Sequence, residues 1–297
     1  MTSERARTTG TVLDRIVADR RVRLVEDRAT RDEAALRARI EANALDPAFA
    51  TQVSFAERIR NGRHATPEGA QLRLIAEIKR ASPSKGLFDA NLDAGKQALA
   101  YAAAGAAAIS VLTEPDHFKG TIADLEAARR AVGLDPDRPA ILRKEFVFDP
   151  YQVLEARAFG ADAILLITML LEPAALTELI GVVRSYEMEP LVEVHDEDEL
   201  RVALDCGARV IGVNNRDLRT FVEDLGVTER VAALVRSLGV DITLVAESSI
   251  KTAADARRMA EAGAHALLVG EALVLSGDVT AKARELMLVG VEEGAAP

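Results

Sequence analysis

The sequence contains few of the residues that mark several common protein classes. It has one cysteine, Cys206, no tryptophan, and an aromatic content of 4% over 297 residues. A single cysteine excludes an internal disulfide and a cysteine metal cluster. The four histidines do not show metal-ligand spacing, so we expect no metal site, and nothing in the sequence indicates another cofactor. These histidines are His64, His117, His195 and His265.

Positive charge and long apolar runs are also scarce. The net charge is −10 and the isoelectric point is near 5.1, whereas a nucleic-acid-binding protein needs a basic patch and often stacking aromatics. The longest apolar run, 163–171, is roughly half of the ~20 residues that a membrane span requires. The first ten residues lack the apolar segment of a signal peptide. We therefore expect a cytoplasmic protein with neither nucleic acid nor membrane as a partner.

What the chain does contain is a series of short apolar runs that alternate with helical patterns from residue 72 onward. Such alternation predicts a parallel sheet with helices between its strands. Eight runs occur: 73–78, 107–112, 139–143, 163–167, 190–194, 209–213, 242–246 and 266–269.

A repeated Gly-Ala pair supports this count. It begins at Gly105, Gly160, Gly207 and Gly263, each time between a helical pattern and an even-numbered run. In each pair the glycine is expected to end the helix in the left-handed conformation. Four such units predict a (β/α)₈ TIM barrel. A doubly wound sheet is the alternative, but the RASPSKG segment after the first run lacks that fold's glycine-rich phosphate fingerprint.

The residues before the barrel have a different pattern. Helical spacing covers 11–28 and 31–44, and a short helix or turn is expected at 55–59. These segments have too few apolar residues for a separate core. We therefore predict an N-terminal helical extension over 1–70 packed on a barrel at 71–290, with a tail at 291–297.

Several of the apolar runs end in polar residues, and these are the candidate catalytic groups. Charges are tolerable only at the ends of barrel strands, because burying an isolated charge costs several kcal/mol. The carboxyl ends of all eight strands meet at one mouth, where the active sites of such barrels lie. Rim salt bridges are the alternative explanation for each residue alone. The candidates are Glu77, Lys79, Lys144, Glu193, Asn214, Glu247 and Ser248.

The loops after the last two runs form a second candidate site. They read AESSI over 246–250 and VGEAL over 269–273. In such barrels this corner commonly binds phosphate through backbone N–H groups. We predict phosphate contacts at Ser249, Gly270 and Glu271, although a plain turn is about as compatible with these loops alone.

The motifs together identify a family. The segments IAEIKRASPSKG, VLTEPDHFKG, LRKEFVFDPYQ, ADAILLI, LVEVH, IGVNNRDL, AESSI and LVGEAL strongly resemble indole-3-glycerol-phosphate synthase over about 11–290. The resemblance implies a phosphate-binding barrel of tryptophan biosynthesis. Its substrate would be 1-(2-carboxyphenylamino)-1-deoxyribulose 5-phosphate, converted to indole-3-glycerol phosphate with loss of carbon dioxide and water.

The resemblance also implies roles for the strand-end residues. Lys144 is similar in position to the general acid of ring closure, and Glu193 to its acid/base partner or electrostatic stabiliser. Lys79 would hold the anthranilate carboxylate and take part in dehydration, with Glu77 as base. Positions that contact substrate hydroxyls and lysines in the family are matched by Asn214, Glu247 and Ser248. The resemblance also implies substrate binding by Ser82, Phe118 and Arg216.

Three residues depart from the family pattern. Ser249 stands where glycine is usual, which would cost something like 1 kcal/mol if that position needs a positive φ. Glu145 replaces a frequent aspartate, and Thr121 replaces a usual serine. None of these changes removes a catalytic group, so activity is expected.

Three other functions remain as alternatives. A strand-borne lysine, Lys144 or Lys79, could form a Schiff base in an aldolase-like lyase. A phosphoribosylanthranilate isomerase would need a catalytic cysteine, yet Cys206 is expected far from the mouth. A non-catalytic phosphosugar-binding barrel would have no need of the lysines and glutamates. For the synthase, the partner is a small phosphorylated substrate, and a monomer or weak dimer is expected.

Overall fold

Eight parallel strands close into a barrel in the computed structural model, which describes residues 5–62, 66–83, 85–218, 220 and 222–289. Neighbouring strands follow chain order, and β1 pairs with both β2 and β8. The predicted TIM barrel is confirmed, and each strand bound agrees with the sequence within one residue. The strands are β1 Arg73–Ile78, β2 Ala108–Leu112, β3 Ala140–Lys144, β4 Ala163–Ile167, β5 Glu189–Val194, β6 Val210–Asn214, β7 Thr243–Glu247 and β8 Ala266–Val269.

Twelve α-helices and one 3₁₀ turn, Thr168–Leu170, are present in the described part of the chain, together with a short antiparallel pair, Ala81–Ser82 with Gly86–Leu87. The helices are α1 Val12–Thr30, α2 Glu33–Asn43, α3 Phe55–Asn61, α4 Ala94–Ala103, α5 Ile122–Val132, α6 Pro150–Ala158, α7 Pro173–Ser185, α8 Glu197–Asp205, α9 Gly226–Leu238, α10 Ala253–Ala262, α11 Glu271–Val274 and α12 Val279–Met287.

Side chains cap the first turns of several barrel helices, and one of these caps differs from the others. Asp149 caps α6, with proline at its first position, and Thr252 forms a reciprocal capping box with Asp255. Asp196 caps α8, but the Glu199 carboxylate accepts from the His195 N–H instead of closing the box on Asp196. Glu199 is thereby drawn toward the end of β5.

The repeated glycines have the expected conformation. Gly105, Gly160, Gly207 and Gly263 have φ values of 91°, 91°, 89° and 100°. At these angles a side chain is strained, so glycine lets each helix end and the chain turn directly into the next strand. The repeat therefore sets the spacing of the even-numbered strands.

Helices α1–α3 pack against the barrel before the first strand begins. At the barrel's amino end, Asn43 Nδ2 donates to the Ala158 carbonyl, and Arg129 and Arg138 donate to the carbonyl of Thr51. These contacts support the predicted packing of the extension, while the predicted 291–297 tail and His64 lie outside the described residues. Among the described helices, none is long and apolar enough to cross a membrane.

Candidate active site

The lysines and glutamates predicted at the strand ends meet at the carboxyl end of the barrel. Lys144 Nζ, at the end of β3, lies 2.8 Å from Glu247 Oε2 and 3.7 Å from Glu77 Oε2. Lys79 follows β1 and donates to Glu77 Oε1 at 2.6 Å. The alternation of side chains along β1 therefore places Glu77 and Lys79 together, as the sequence indicated.

Glu193 and Asn214 form the adjacent part of the mouth. Asn214 Nδ2 donates to Glu193 Oε1 at 3.2 Å, and Asn214 Oδ1 accepts from the Arg216 backbone N–H. The Arg216 guanidinium pairs with Glu223 at 2.7 Å and stays about one-fifth exposed. Arg216 is thus held at the rim with room for a further anionic partner.

An open cavity joins these groups, with an empty volume of about 1180 Å³ that includes its mouth. Every predicted site residue except Glu247 lines it. Glu247 is fully buried and accepts a hydrogen bond from Lys144, which does line the cavity. The predicted residues on the cavity wall are Glu77, Lys79, Ser82, Phe118, Lys144, Glu193, Asn214, Arg216, Ser248, Ser249, Gly270 and Glu271.

Glycines make room for two of the buried carboxylates. A Cβ at Gly270 would lie 2.5 Å from Glu77 Oε1, and a Cβ at Gly212 would overlap Glu247 Oε1. Gly270 therefore has a packing role against Glu77, beyond the backbone role that the sequence suggested. Gly212, on β6, was not identified from sequence, because nothing in its own strand marks which side chain it faces.

The predicted phosphate corner has an unusual backbone. Ser248 and Ser249 have φ values of 63° and 66°, so both adopt the left-handed conformation. The sequence left open whether position 249 needs a positive φ, and the structure shows that its φ is positive. Glu271 begins the short helix α11, and its Oε1 atom lies 3.6 Å from Lys85 Nζ. Lys251 also lines the cavity beside this corner. Lys251 was missed because it is one residue beyond the AESSI loop.

The N-terminal helix supplies a wall of the cavity that sequence analysis did not anticipate. Val12, Leu13 and Ile16 of α1 line it. The helix is anchored by Arg20, which pairs at 3.2 Å with Glu145, the residue after Lys144, and both side chains are buried. The apolar positions of α1 were visible as a helical stripe, but a stripe does not reveal which surface it covers.

The crowding of three carboxylates and two lysines shifts the pKa values of the site. Burial alone would lower the pKa of Lys144, but Glu247, Glu77 and Glu193 raise it above its ordinary value. Burial alone would raise the pKa of Glu77, but Lys79 and Lys144 lower it. Burial and the neighbouring carboxylates raise the pKa of Glu247 to about 7. Glu247 is therefore poised to exchange a proton near neutral pH.

Cys206 lies away from this chemistry. It caps the end of α8, and its buried thiol donates to the Pro173 carbonyl at 3.3 Å. Cys206 does not line the cavity, which argues against the isomerase alternative. The described histidine, cysteine and acidic residues include no group of three or more arranged to hold a metal ion.

A closed (β/α)₈ barrel with a lysine–glutamate cavity at its carboxyl end belongs to the class of TIM-barrel enzymes. The family model described as "Indole-3-glycerol phosphate synthase" matches residues 13–286. The chain belongs to the indole-3-glycerol phosphate synthase family, and the family and activity predicted from the sequence are confirmed.

Named relatives agree with this family. The chain is 47% identical to the indole-3-glycerol phosphate synthase of Roseiflexus sp. (strain RS-1), over 93% of this chain and 98% of that protein. It is 50% identical to the same-named protein of Dehalococcoides mccartyi (strain CBDB1), over 74% of this chain and 83% of that protein.

Two further similarities are of narrower use. The chain is 47% identical to a multifunctional tryptophan biosynthesis protein of Phanerodontia chrysosporium over 82% of this chain, which is 30% of that protein. A 3-hexulose-6-phosphate synthase structure superposes with a TM-score of 0.56 at 15% identity, over 73% of this chain and 99% of that chain. At that identity the superposition shows the fold alone.

Proposed function

We propose that the cavity carries out ring closure, decarboxylation and dehydration of 1-(2-carboxyphenylamino)-1-deoxyribulose 5-phosphate. The observation that carries the assignment of roles is Lys144, held between Glu247 and Glu77 on the cavity wall. Ring closure develops negative charge on the substrate's ketone oxygen, and a positioned ammonium can protonate that oxygen. Lys144 is the general acid of this step.

The remaining steps follow from the groups around Lys144. The ring carbon that bears the carboxylate bonds to the ketone carbon, carbon dioxide leaves, and the aromatic ring is restored. The new hydroxyl then leaves as water, with Lys79 taking part and Glu77 removing a proton from the neighbouring methylene group. Glu193 stabilises the charge that develops in the intermediates, assisted by Asn214.

Substrate recognition divides the cavity into three parts. Phe118 and Phe146, whose ring centroids are 5.9 Å apart, and the apolar wall of α1 accommodate the anthranilate ring. Arg216 and Lys79 are available to its carboxylate, because a guanidinium can grip a carboxylate with two hydrogen bonds. Ser82 contacts the substrate nearby, and the hydroxyl of Ser248 contacts the substrate's hydroxyls.

The phosphate is proposed to sit in the corner formed by Ser249, Gly270 and Glu271. Backbone N–H groups, not side-chain charge, would hold it. Inorganic phosphate should therefore compete with the substrate. If the KM for the substrate did not rise with the concentration of inorganic phosphate, the phosphate group of the substrate would not be held at this corner.

Turnover of the anthranilate-derived substrate, followed by indole fluorescence, tests the proposal directly. The Schiff-base alternative predicts a covalent adduct on Lys144 or Lys79 after borohydride treatment with substrate, whereas the proposed function predicts none. The raised pKa of Lys144 keeps it protonated and therefore a poor nucleophile. A phosphosugar-binding barrel would bind the substrate without producing indole.

Three further properties belong to the same proposal. We infer a unit of barrel plus N-terminal extension divided near residue 70, and a monomer or weak dimer. We also infer a cytoplasmic site of action, because charged phosphorylated metabolites are used where they are made. Light scattering of the full chain at micromolar concentration tests the oligomeric state.

A further inference from the structure

His195 lies immediately beyond β5 and contacts the catalytic cluster from outside. Its Nε2 atom is 3.3 Å from Glu193 Oε1, within ion-pair distance but without an aligned hydrogen bond, and its Nδ1 atom is hydrogen-bonded to Glu199 Oε2 at 3.1 Å. Glu199 Oε2 also accepts from the His195 backbone N–H at 2.9 Å. The imidazole, 7% exposed, therefore lies between a carboxylate of the mouth and a carboxylate of α8.

The charge balance of the mouth gives this contact a purpose. Three carboxylates, Glu77, Glu193 and Glu247, face two lysines, of which Lys144 touches Glu77 and Glu247 and Lys79 touches Glu77. Neither lysine lies within ion-pair distance of Glu193. The cation in contact with Glu193 comes from His195, and the amide of Asn214 donates to the same oxygen.

We propose that His195 is a positioning residue for Glu193. As an imidazolium clamped by Glu199, it keeps the Glu193 carboxylate charged and turned toward Asn214. Glu247 is then the carboxylate of the mouth that can take up a proton. This inference rests on the proposed function, in which Glu193 stabilises charge in the intermediates, and a carboxylate stabilises positive charge only while it is ionised.

Electrostatics support the geometry in both directions. Burial alone would lower the pKa of His195, but Glu193 and Glu199 raise it to about 10. Burial alone would raise the pKa of Glu193, but His195 and Lys144 lower it to about 2. Both groups are therefore charged at neutral pH. His195 also lines a second cavity, distinct from the one that holds the lysines and glutamates, and the other charged groups around it are Asp196, Asp217, Asp224 and Arg230.

The first experiment needs no turnover, so it remains informative if the proposed reaction is wrong. The chain has four histidines, and the His195 signal in an NMR pH titration is identified by its loss in His195→Asn. We expect the His195 ring of the parent protein to stay protonated up to pH 8.5, and its midpoint to fall in Glu193→Gln. A midpoint near the ordinary value of about 6.5 would overturn the proposal.

The second experiment separates this role from a structural one. In the parent, Glu193 stays ionised down to low pH, so it should not limit kcat in mild acid. His195→Asn removes the cation, so Glu193 should take up a proton at a higher pH. The pH at which kcat falls on the acid side should therefore rise by about one pH unit or more. His195→Lys, which retains a cation, should return the limb toward the parent position.

Glu199→Gln is the matched control, because it removes the outer carboxylate and leaves the His195–Glu193 pair in place. Its acid limb should move less than half as far as that of His195→Asn. A His195→Asn profile lowered equally at every pH would mean a packing role only, and that result would also overturn the proposal. If that variant does not fold, His195→Lys identifies the His195 signal instead, and the titration of the parent decides.

Discussion

Buried carboxylates at the two ends of the barrel differ in how fully their oxygens are hydrogen-bonded. At the amino end, Asp162 accepts from both terminal nitrogens of Arg138 at 2.6 and 2.7 Å, and from the N–H groups of Ile141 and Val53. At the carboxyl end, Glu247 Oε2 accepts from Lys144, while Glu247 Oε1 has no hydrogen-bond partner among the described residues.

This difference separates stability from chemistry within one fold. A buried carboxylate with several hydrogen-bond donors on both oxygens is held in one position. A buried carboxylate with an unfilled oxygen and like charges nearby has its pKa moved into the working range. The amino end therefore holds the barrel and its N-terminal extension together, and the carboxyl end is left incomplete for a substrate.

The largest effect is expected from breaking the pair at the amino end. Asp162→Asn leaves the Arg138 charge buried without its partner, which costs about 3–5 kcal/mol in comparable cases. Urea unfolding should show this loss, with kcat of the folded fraction near the parent value. Glu247→Gln makes the same chemical change at the mouth and should cost far less stability. Equal costs at the two ends would remove the contrast.

Lys144→Ala should give the largest loss of activity. Removing a general acid costs at least ~10² in kcat, and KM should stay within about tenfold because the phosphate grip is separate. Steady-state or stopped-flow measurement of indole fluorescence gives both kcat and KM. A near-normal kcat would exclude Lys144 from the mechanism.

Cys206→Ser is the control for that loss. The thiol is buried outside the mouth, so kcat should not change and any cost should appear only in stability. A large fall in kcat would instead revive the isomerase alternative.

The pH dependence of stability should show that the folded-state pKa of Glu247 is raised. Its pKa rises from 4.5 unfolded to about 7 folded, so the folded state holds the proton more tightly. The resulting stabilisation is full below pH 4.5 and is lost as pH rises toward 7. Urea unfolding of Glu247→Gln over this range should lack that loss. Parallel curves for parent and variant would contradict the assignment.

The smallest effect concerns backbone strain. Ser249→Gly should stabilise the chain by up to about 1 kcal/mol, because glycine adopts a positive φ without strain. Glu187→Gly is its counterpart at the amino end, where φ is 59°. Both should raise the urea midpoint slightly, but only the Ser249 change should alter KM. A changed KM for Glu187→Gly would argue against a local effect at the phosphate corner.

Gly270→Val is not a selective test of phosphate binding, although the position of Gly270 in the sequence suggests it. The first added carbon would lie 2.5 Å from Glu77 Oε1. The substitution would therefore disturb a proposed catalytic base together with the phosphate corner. Losses of kcat and of substrate affinity would appear together, and phosphate competition in the parent protein is the better measurement.

Much of the fold and of the site follows from local sequence pattern. Apolar runs and Gly-Ala turns determine where strands begin, and a polar residue at the end of a buried parallel strand has to face the mouth. This is why Glu77, Lys79, Lys144 and Glu193 were predictable. Ser249 was also predictable as a strained position, because it stands where glycine is usual.

The tertiary structure alone decided how these groups divide their charges. Helix α1 covers the cavity with Val12 and Ile16, and His195 pairs with Glu193 across the edge of the mouth. The contact of α1 leaves no signal in spacing, because it joins distant segments through packing and not through periodicity. His195 and Glu193 do have the same two-residue spacing as Glu77 and Lys79, but spacing alone does not show that His195 also contacts Glu199 of α8. Which carboxylate stays charged depends on distances of 3 to 4 Å between side chains from different strands, and only the closed barrel determines those distances.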